Sequence, residues 1–320
     1  MCYSAQIRQE YAVYVRLYGA DITIGEYQML YWERDKNPRM KLPRGMDLAF
    51  LRDTSGDPAV AEIQGLIRKY DAEQTSKLQQ EVLAQRKRLA DAERILHTKI
   101  RKAATESKRI AIDKVSRALG RLADIQRSDP KDKDARIFPG WYAPVMVMEN
   151  GRRVIKPMRC QCRPAGKPAF YDTKYPGTYN ARRDNLGGFW KDLFGYKHGI
   201  AVVNAFFENV SRHNMEGREL GDGEKEVNVI LEFRPQPAQD MLVACLWSEW
   251  EGDGQRLLSF AAITDEPPAE VAAAGHDRCI VPIKPENIDA WLNPDPADLA
   301  AQIAILEDRS TPYYENRMAA

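Results

Sequence analysis

The chain reads as an α+β protein: a curved, barrel-like, mainly antiparallel sheet carrying an inserted helical hairpin or coiled-coil arm. Three observations lead there. Short apolar runs recur through both flanks, as in Gly199-Ile-Ala-Val-Val, Val227-Asn-Val-Ile-Leu-Glu-Phe, Met241-Leu-Val-Ala-Cys-Leu-Trp and Leu257-Leu-Ser-Phe-Ala-Ala-Ile. Their length, Gly and Pro boundaries and β-branched content mark strands. These runs do not alternate with helical patterns, which argues against parallel βαβ units. Between Gly65 and Gly120, by contrast, there is no Gly or Pro, and the stretch is rich in Ala, Leu, Gln, Lys, Arg and Glu. Those are strong helix formers.

Residues 1–57 and 131–320 therefore form a discontinuous sheet domain, and 58–130 a helical insertion. Within the insertion Val60, Ile63, Ile67 and Tyr70, and later Val115, Leu119, Leu122 and Ile125, recur at three- and four-residue steps. One continuous helix would run roughly 100 Å at ~1.5 Å per residue. A hairpin folding back near Thr105–Ser107 gives each apolar stripe a partner. Basic residues gather at Arg86-Lys87-Arg88 and from Arg94 to Arg109, while the rest of the chain is net acidic. Such a face is either a solvated coiled coil or an arm for a DNA backbone or a protein partner. In the flanks, helix is expected at Gly187–Leu193 and at Pro285–Leu292, where Pro leads an apolar stripe.

The 320 residues are 44% hydrophobic and 29% charged, enough to bury a core, and the net charge of +1 does not by itself declare a nucleic-acid partner. No apolar run approaches the ~20 residues that span a bilayer, so no membrane association is expected. MCYSAQIRQEY lacks the basic and apolar regions of a secretory signal. Five cysteines suit a reduced, cytoplasmic protein, nucleoid-associated in a bacterial cell. Cys160 and Cys162, with Cys245 and Cys279, have poor spacing for structural zinc. The phosphate-loop, dinucleotide and serine-elbow motifs are absent. No metal or cofactor is expected.

Four residues could carry chemistry. Methionine is usually trimmed before a small side chain, which would leave Cys2 at the terminus. Its α-amine, with pKa about 7.7–8.0, would then adjoin a thiol near 8.5. Together they suit aldehydes: the amine forms a Schiff base and the thiol closes a five-membered thiazolidine. The plainer alternative is an incidental Cys near a frayed end. His276, in Ala274-Gly-His-Asp-Arg, can move protons near neutral pH or simply cap a turn. Glu208, among the aromatics of Ala205-Phe-Phe-Glu-Asn-Val, is an acid or base if buried and an ordinary strand residue if it faces out. Asn180, in Tyr179-Asn-Ala-Arg-Arg, can bond a substrate oxygen or close a turn.

In their order these segments resemble the SOS response-associated peptidase (SRAP) family of abasic-site DNA–protein crosslinking proteins. The markers are Met1-Cys2, Gly140-Trp-Tyr-Ala-Pro, Asn180-Ala-Arg, the strand into Phe206-Phe-Glu208, His276-Asp-Arg with Ile280-Val-Pro-Ile, and Asp289-Ala-Trp-Leu. The resemblance implies that Cys2 crosslinks to the ring-opened sugar of an abasic site in single-stranded DNA as a thiazolidine. It implies that Asn180 positions Cys2 and the sugar, that Glu208 serves the amine chemistry, and that His276 assists ring opening. Arg182 and Arg278, with neighbouring Arg183, would hold phosphates, and Trp141 and Tyr142 would lie near the stacking surface. Two alternatives accompany it: a thiol autopeptidase acting through Cys2, with lyase activity, and a non-catalytic DNA-binding or partner-recruiting module using the arm. The chain departs from the family pattern at Tyr3-Ser4, where Gly-Arg is usual, and at Asn209, where an aromatic is usual.

Overall fold

The computed structural model describes residues 2–252 and 254–319. In chain order the elements are β1 (Cys2–Ile7), α1 (Tyr11–Tyr18), β2 (Asp21–Ile22), α2 (Ile24–Lys36), α3 (Arg44–Leu51), α4 (Pro58–Thr98), α5 (Lys102–Gln126), β3 (Arg136–Ile137), β4 (Tyr142–Glu149) and β5 (Arg152–Cys160). There follow α6 (Tyr171–Lys174), β6 (Asn180–Arg182), β7 (His198–Ser211), α7 (Arg212–Met215), β8 (Asn228–Gln236), β9 (Met241–Gly252) and β10 (Gln255–Asp265). The last are α8 (Ala269–Ala273), β11 (Cys279–Ile280), β12 (Pro282–Ile283), α9 (Ile288–Leu292), α10 (Leu299–Glu307) and β13 (Tyr313–Met318). No helix among the described residues is long and apolar enough to cross a membrane.

Cα packing divides the chain into two compact units. The first holds the residues up to Leu30, Arg39–Ala49 and Lys131 onward, and the second holds Tyr31–Pro38 and Phe50–Pro130.

In the first unit β4 pairs with β5, β5 with β10, β10 with β9, β9 with β7, and β7 back with β4, closing a barrel. Only the β5–β10 contact of this ring is parallel. The α+β, mainly antiparallel, barrel-like sheet is therefore as expected. Residue parity explains why its strands read as continuous apolar runs. Val145 and Val147 of β4, Ala201 and Val203 of β7, Val243 and Cys245 of β9, and Phe260 of β10 share one core inside the ring. The intervening Met146, Ile200, Val202, Leu242, Ala244 and Ile263 pack outside it against Tyr14, Trp190, Phe194, Trp291 and Leu306. A strand covered on both faces has no polar face to alternate with.

Pro285–Leu292 forms a helical turn running into α9, as its pattern indicated. Gly187–Leu193 does not form a helix but a series of turns. There the Asn185 side chain accepts a hydrogen bond from Phe189 N at 3.1 Å, and two glycines weaken any competing helix. Residues 11–51, expected to belong to the strand-rich flank, contain α1, α2 and α3 instead. Their short apolar groups are helix faces, and α1 ends on Gly19 in the left-handed region, φ 59°.

The second unit contains the hairpin of α4 and α5. Its turn lies at Lys99–Arg101, where the backbone is extended at both ends, not at Thr105–Ser107. Both hydroxyl residues are absorbed into α5: Thr105 Oγ1 donates back to Arg101 O at 3.2 Å, and Ser107 Oγ accepts from Arg88 Nε at 2.8 Å. Ala104, Ala111 and Ala118 are buried along α5 at seven-residue spacing, facing a seam that includes Leu78, Val82, Gln85 and Ala92 of α4. Small residues repeating every heptad let antiparallel helices approach closely. The base of α4 is anchored within the same unit. Ile63 and Ile67 are fully buried, and Gln64 Nε2 donates to Phe50 O and Asp53 O at 2.9 Å each.

His198, at the start of β7, is a structural histidine with a pH consequence. Its Nε2 accepts from Gly195 N at 2.8 Å, so Nδ1 carries the proton and donates to Trp291 O at 3.0 Å. Burial holds its pKa down to about 3, against the raising effect of the Trp291 carbonyl. The unfolded residue takes up a proton near pH 6.5, but the folded one does not until far lower pH. The stability contributed by neutral His198 is thus complete above about pH 6.5 and is lost as pH falls, at about 1.4 kcal/mol per unit. Denaturant titrations should find the protein about 2 kcal/mol less stable at pH 5 than at pH 7 from this residue. His198→Gln should flatten that slope by one proton, and an unchanged slope would remove His198 as its source.

Candidate active site

β1 joins the barrel by lying antiparallel between β3 and β7. Its register sets Cys2 opposite Glu208, Ser4 opposite Phe207 and Ala5 opposite Phe206. Two residues of β1 therefore span one step of β7 between Cys2 and Ser4, a bulge of the kind that re-aims a strand beside a site. The side chains of Cys2 and Tyr3 lie outside the described residues, so it is the Cys2 backbone that is placed.

Glu208 is fully buried, and its Oε2 stands 3.2 Å from Nε2 of His276. His276 precedes β11, is 8% exposed, and has Nδ1 2.8 Å from the carbonyl oxygen of Arg278. A carbonyl only accepts, so Nδ1 is the protonated nitrogen of the neutral ring. Nε2 then presents a lone pair to a carboxyl oxygen, and a contact of 3.2 Å requires one proton between them. Either partner can carry it. Burial pushes the His276 pKa down, against the raising effect of the Arg278 carbonyl, which favours the neutral imidazole. The arrangement is a sequestered one-proton relay beside the backbone of Cys2.

Asn180 opens β6, which lies parallel to β10 with Asn180 opposite Ala262. It is 8% exposed, and its Nδ2 has no hydrogen-bond partner among the described residues. It lines a small cavity of about 40 Å³ together with Ser4, Ala5, Phe138, Tyr179 and Cys160. β1 and Asn180 thus meet around one cavity, whose other walls are mostly apolar. Leaving a buried amide unbonded costs on the order of 1–3 kcal/mol, so a free donor here is poised for an incoming acceptor.

Residues 99–318 match the family model described as SOS response associated peptidase (SRAP). The chain belongs to the SRAP family. Among solved structures it is similar to a protein from Bordetella bronchiseptica, with 16% identity over 58% of this chain and 87% of that one, TM-score 0.45. A phage-related protein from the same organism gives 20% identity over 57% and 80%, TM-score 0.43. A protein from Bacteroides thetaiotaomicron gives 14% identity over 56% and 74%, TM-score 0.43. No curated protein matches. The SRAP match contains Asn180, Glu208 and His276 but begins after Cys2. The helical insertion separates β1 in sequence from the strands it pairs with.

The other expected contact residues of this SRAP chain are placed as follows. Arg182 is partly exposed and paired with its neighbour Asp184 at 2.9 Å, and Arg278, whose side chain is 20% exposed, is paired with adjacent Asp277 at 3.0 Å. Both aspartates are exposed, and local pairs of this kind are worth about 0–1 kcal/mol, so a phosphate can compete for either guanidinium. Arg183 instead ties Asp265 of β10 to Glu307 of α10, at 3.0 and 2.6 Å, which is a structural role. Trp141 is half-buried with its ring 5.6 Å from that of Phe138. Tyr142 is 8% exposed, so its ring offers little face to a stacking base.

Two neighbours of the site were not singled out from sequence. Arg136 of β3 donates to Ser4 Oγ at 2.9 Å, with its guanidinium 3.6 Å from the centre of the Phe207 ring and 5.0 Å from that of Phe138. Tyr179 shares the Asn180 cavity. Only the β1–β3 pairing, across more than 130 residues, brings Arg136 to β1. The remaining cysteines are poor nucleophiles, since burial raises the Cys160 and Cys162 thiols to about 12. No group of three His, Cys, Asp or Glu side chains that would hold a metal occurs among the described residues.

Proposed function

We propose that this SRAP protein forms a covalent thiazolidine between Cys2 and the ring-opened sugar of an abasic site in single-stranded DNA. The observation that carries this is the register of β1, which sets the Cys2 backbone opposite buried Glu208, itself in contact with His276. The steps balance as follows. The proton shared by Glu208 and His276 passes from His276 Nε2 to the ring oxygen of the closed sugar while the anomeric hydroxyl gives its proton to water, exposing the aldehyde and leaving Glu208 as the carboxylate. The α-amine of Cys2, freed of its extra proton by Glu208, adds to the carbonyl carbon. The proton Glu208 has taken passes through His276 to the resulting hydroxyl, which leaves as water, and the iminium nitrogen then gives its proton to solvent to leave the imine. The Cys2 thiol then adds to the imine carbon, and its proton passes to nitrogen. Asn180 Nδ2 donates to a sugar oxygen and holds the carbon over the amine, while Arg182 and Arg278 exchange their aspartates for flanking phosphates.

The direct test is incubation of the protein with a single-stranded oligonucleotide holding one abasic site, followed by a denaturing gel. Intact mass measurement establishes that Cys2 is the first residue of the preparation. A shifted band that survives denaturation, and is absent with undamaged DNA, is the expected result. No band from protein beginning at Cys2 would overturn the proposal.

A further inference from the structure

The hairpin's cations are not all alike. Along its shaft several are matched to carboxylates: Lys114 with Glu81 at 3.6 Å, Lys108 with Glu93 at 2.9 Å, Arg94 with Asp91 at 3.3 Å, and Arg109 with both Glu106 and Asp113 at 2.6 and 3.1 Å. These pairs consume the acidic residues nearest the turn. At the turn itself Lys99, Arg101 and Lys102 are exposed, and their side chains make no hydrogen bond or ion pair among the described residues. Between them Ile100 is 87% exposed. Three uncompensated cations within four residues repel one another, and no carboxylate among the described residues pairs with them. Between Glu93 and Glu106 the sequence holds no carboxylate that could offset them.

We propose that the turn of the α4–α5 hairpin binds a nucleic-acid phosphate backbone, independently of base sequence and of the Cys2 chemistry. Three features favour this partner over an acidic protein. The charge is concentrated on long, unpaired side chains at a narrow tip, which suits a line of phosphates. Ile100 is the one large apolar side chain of the turn, whereas a protein interface needs an apolar centre with a polar rim. α4 carries the tip about 60 Å from Pro58, at ~1.5 Å per residue, a reach that suits a contact along an extended polymer. This inference extends the proposed function, because it adds a contact to DNA outside the lesion. It does not depend on crosslinking.

The test uses the full chain with Lys99, Arg101 and Lys102 each replaced by glutamine, and undamaged single-stranded DNA of about 40 nucleotides. Fluorescence anisotropy across a salt series reads the affinity, and circular dichroism checks that the helices persist. Each phosphate contact contributes roughly 0.7 to the log–log salt slope on a single strand, so the triple variant should lose about 2 from that slope. The variant Lys99→Arg with Lys102→Arg, which keeps the charges, should bind as the parent does, and so should Ile100→Ala. Crosslinking of a short abasic oligonucleotide should be unaffected in every variant, so failure of the Cys2 chemistry and failure of the tip contact are separately visible. An unchanged slope in the glutamine variant would overturn the proposal. So would an Ile100→Ala defect as large as that of the triple variant, which would mark an apolar contact with the bases, not the phosphates, as the main interaction.

Discussion

Cys2→Ser is expected to abolish the denaturation-resistant DNA adduct while leaving a reversible one that borohydride traps. Serine keeps the α-amine, so the Schiff base still forms. Its hydroxyl, with a pKa far above that of a thiol, does not add to the imine at neutral pH. Untreated samples of the variant should therefore run as free DNA on a denaturing gel, and borohydride-treated samples should show the shifted band. Backbone pairing of β1 with β7 does not involve the Cys2 side chain, so the thermal unfolding temperature should move little. A Cys2→Ser adduct as stable as that of the parent would eliminate thiazolidine closure. Failure to trap anything with borohydride would eliminate the amine as well.

Glu208→Gln is expected to slow adduct formation by about 10²-fold, the lower range for a general acid–base group. The amide is close in shape to the carboxyl, and its NH2 can still donate to the Nε2 lone pair of His276, so the buried contact is kept while proton transfer is lost. His276→Ala should cost a similar factor. Because the two side chains hold one proton between them at 3.2 Å, the double variant should be scarcely slower than either single one, as for residues acting as a unit. Multiplying effects, near 10⁴-fold in the double variant, would mean that they serve separate steps and that the relay is wrong. The lowered pKa of His276 adds a pH signature. The imidazole stays neutral below its usual titration near 6.5, so the acid limb of the rate profile that His276→Ala removes should lie beneath that value. Single-turnover rates with a short abasic oligonucleotide, measured between pH 4.5 and 8, would show it.

Much of this molecule is legible in one dimension. The runs Ile200–Val203, Met241–Trp247 and Leu257–Ile263 announce strands buried on both faces, because their apolar side chains must be covered whichever way they point. The long stretch free of Gly and Pro announces helix, because propensity summed over that length outweighs local exceptions. The chemistry of Cys2 and the proton-transfer capacity of His276 follow from residue type and immediate neighbours, whereas strand alternation left Glu208 free to face either way until the packing buried it.

Where the reading failed, the deciding interaction was either a local side-chain bond or a distant contact. Asn185 captures the backbone that would have begun a helix at Gly187, and Thr105 and Ser107 satisfy their hydroxyls inside α5 instead of breaking it. Tyr142 opens β4, a strand covered on both faces, so its ring is enclosed by the packing of the sheet whatever the Trp-Tyr pair itself suggests.

The sequence by itself determined the α+β class, the helical insertion, and residues suited to aldehyde capture, since these depend on composition, periodicity and functional groups. Only the tertiary structure decided that β1 threads between β3 and β7, opposing Cys2 to Glu208, that His276 meets Glu208 through one proton, and that Arg136 lies over Phe207 beside Ser4. Each of these joins residues more than 60 positions apart. Sheet register and barrel closure select such pairs by the free energy of covering the whole core, and that selection leaves no signature in a local window of sequence.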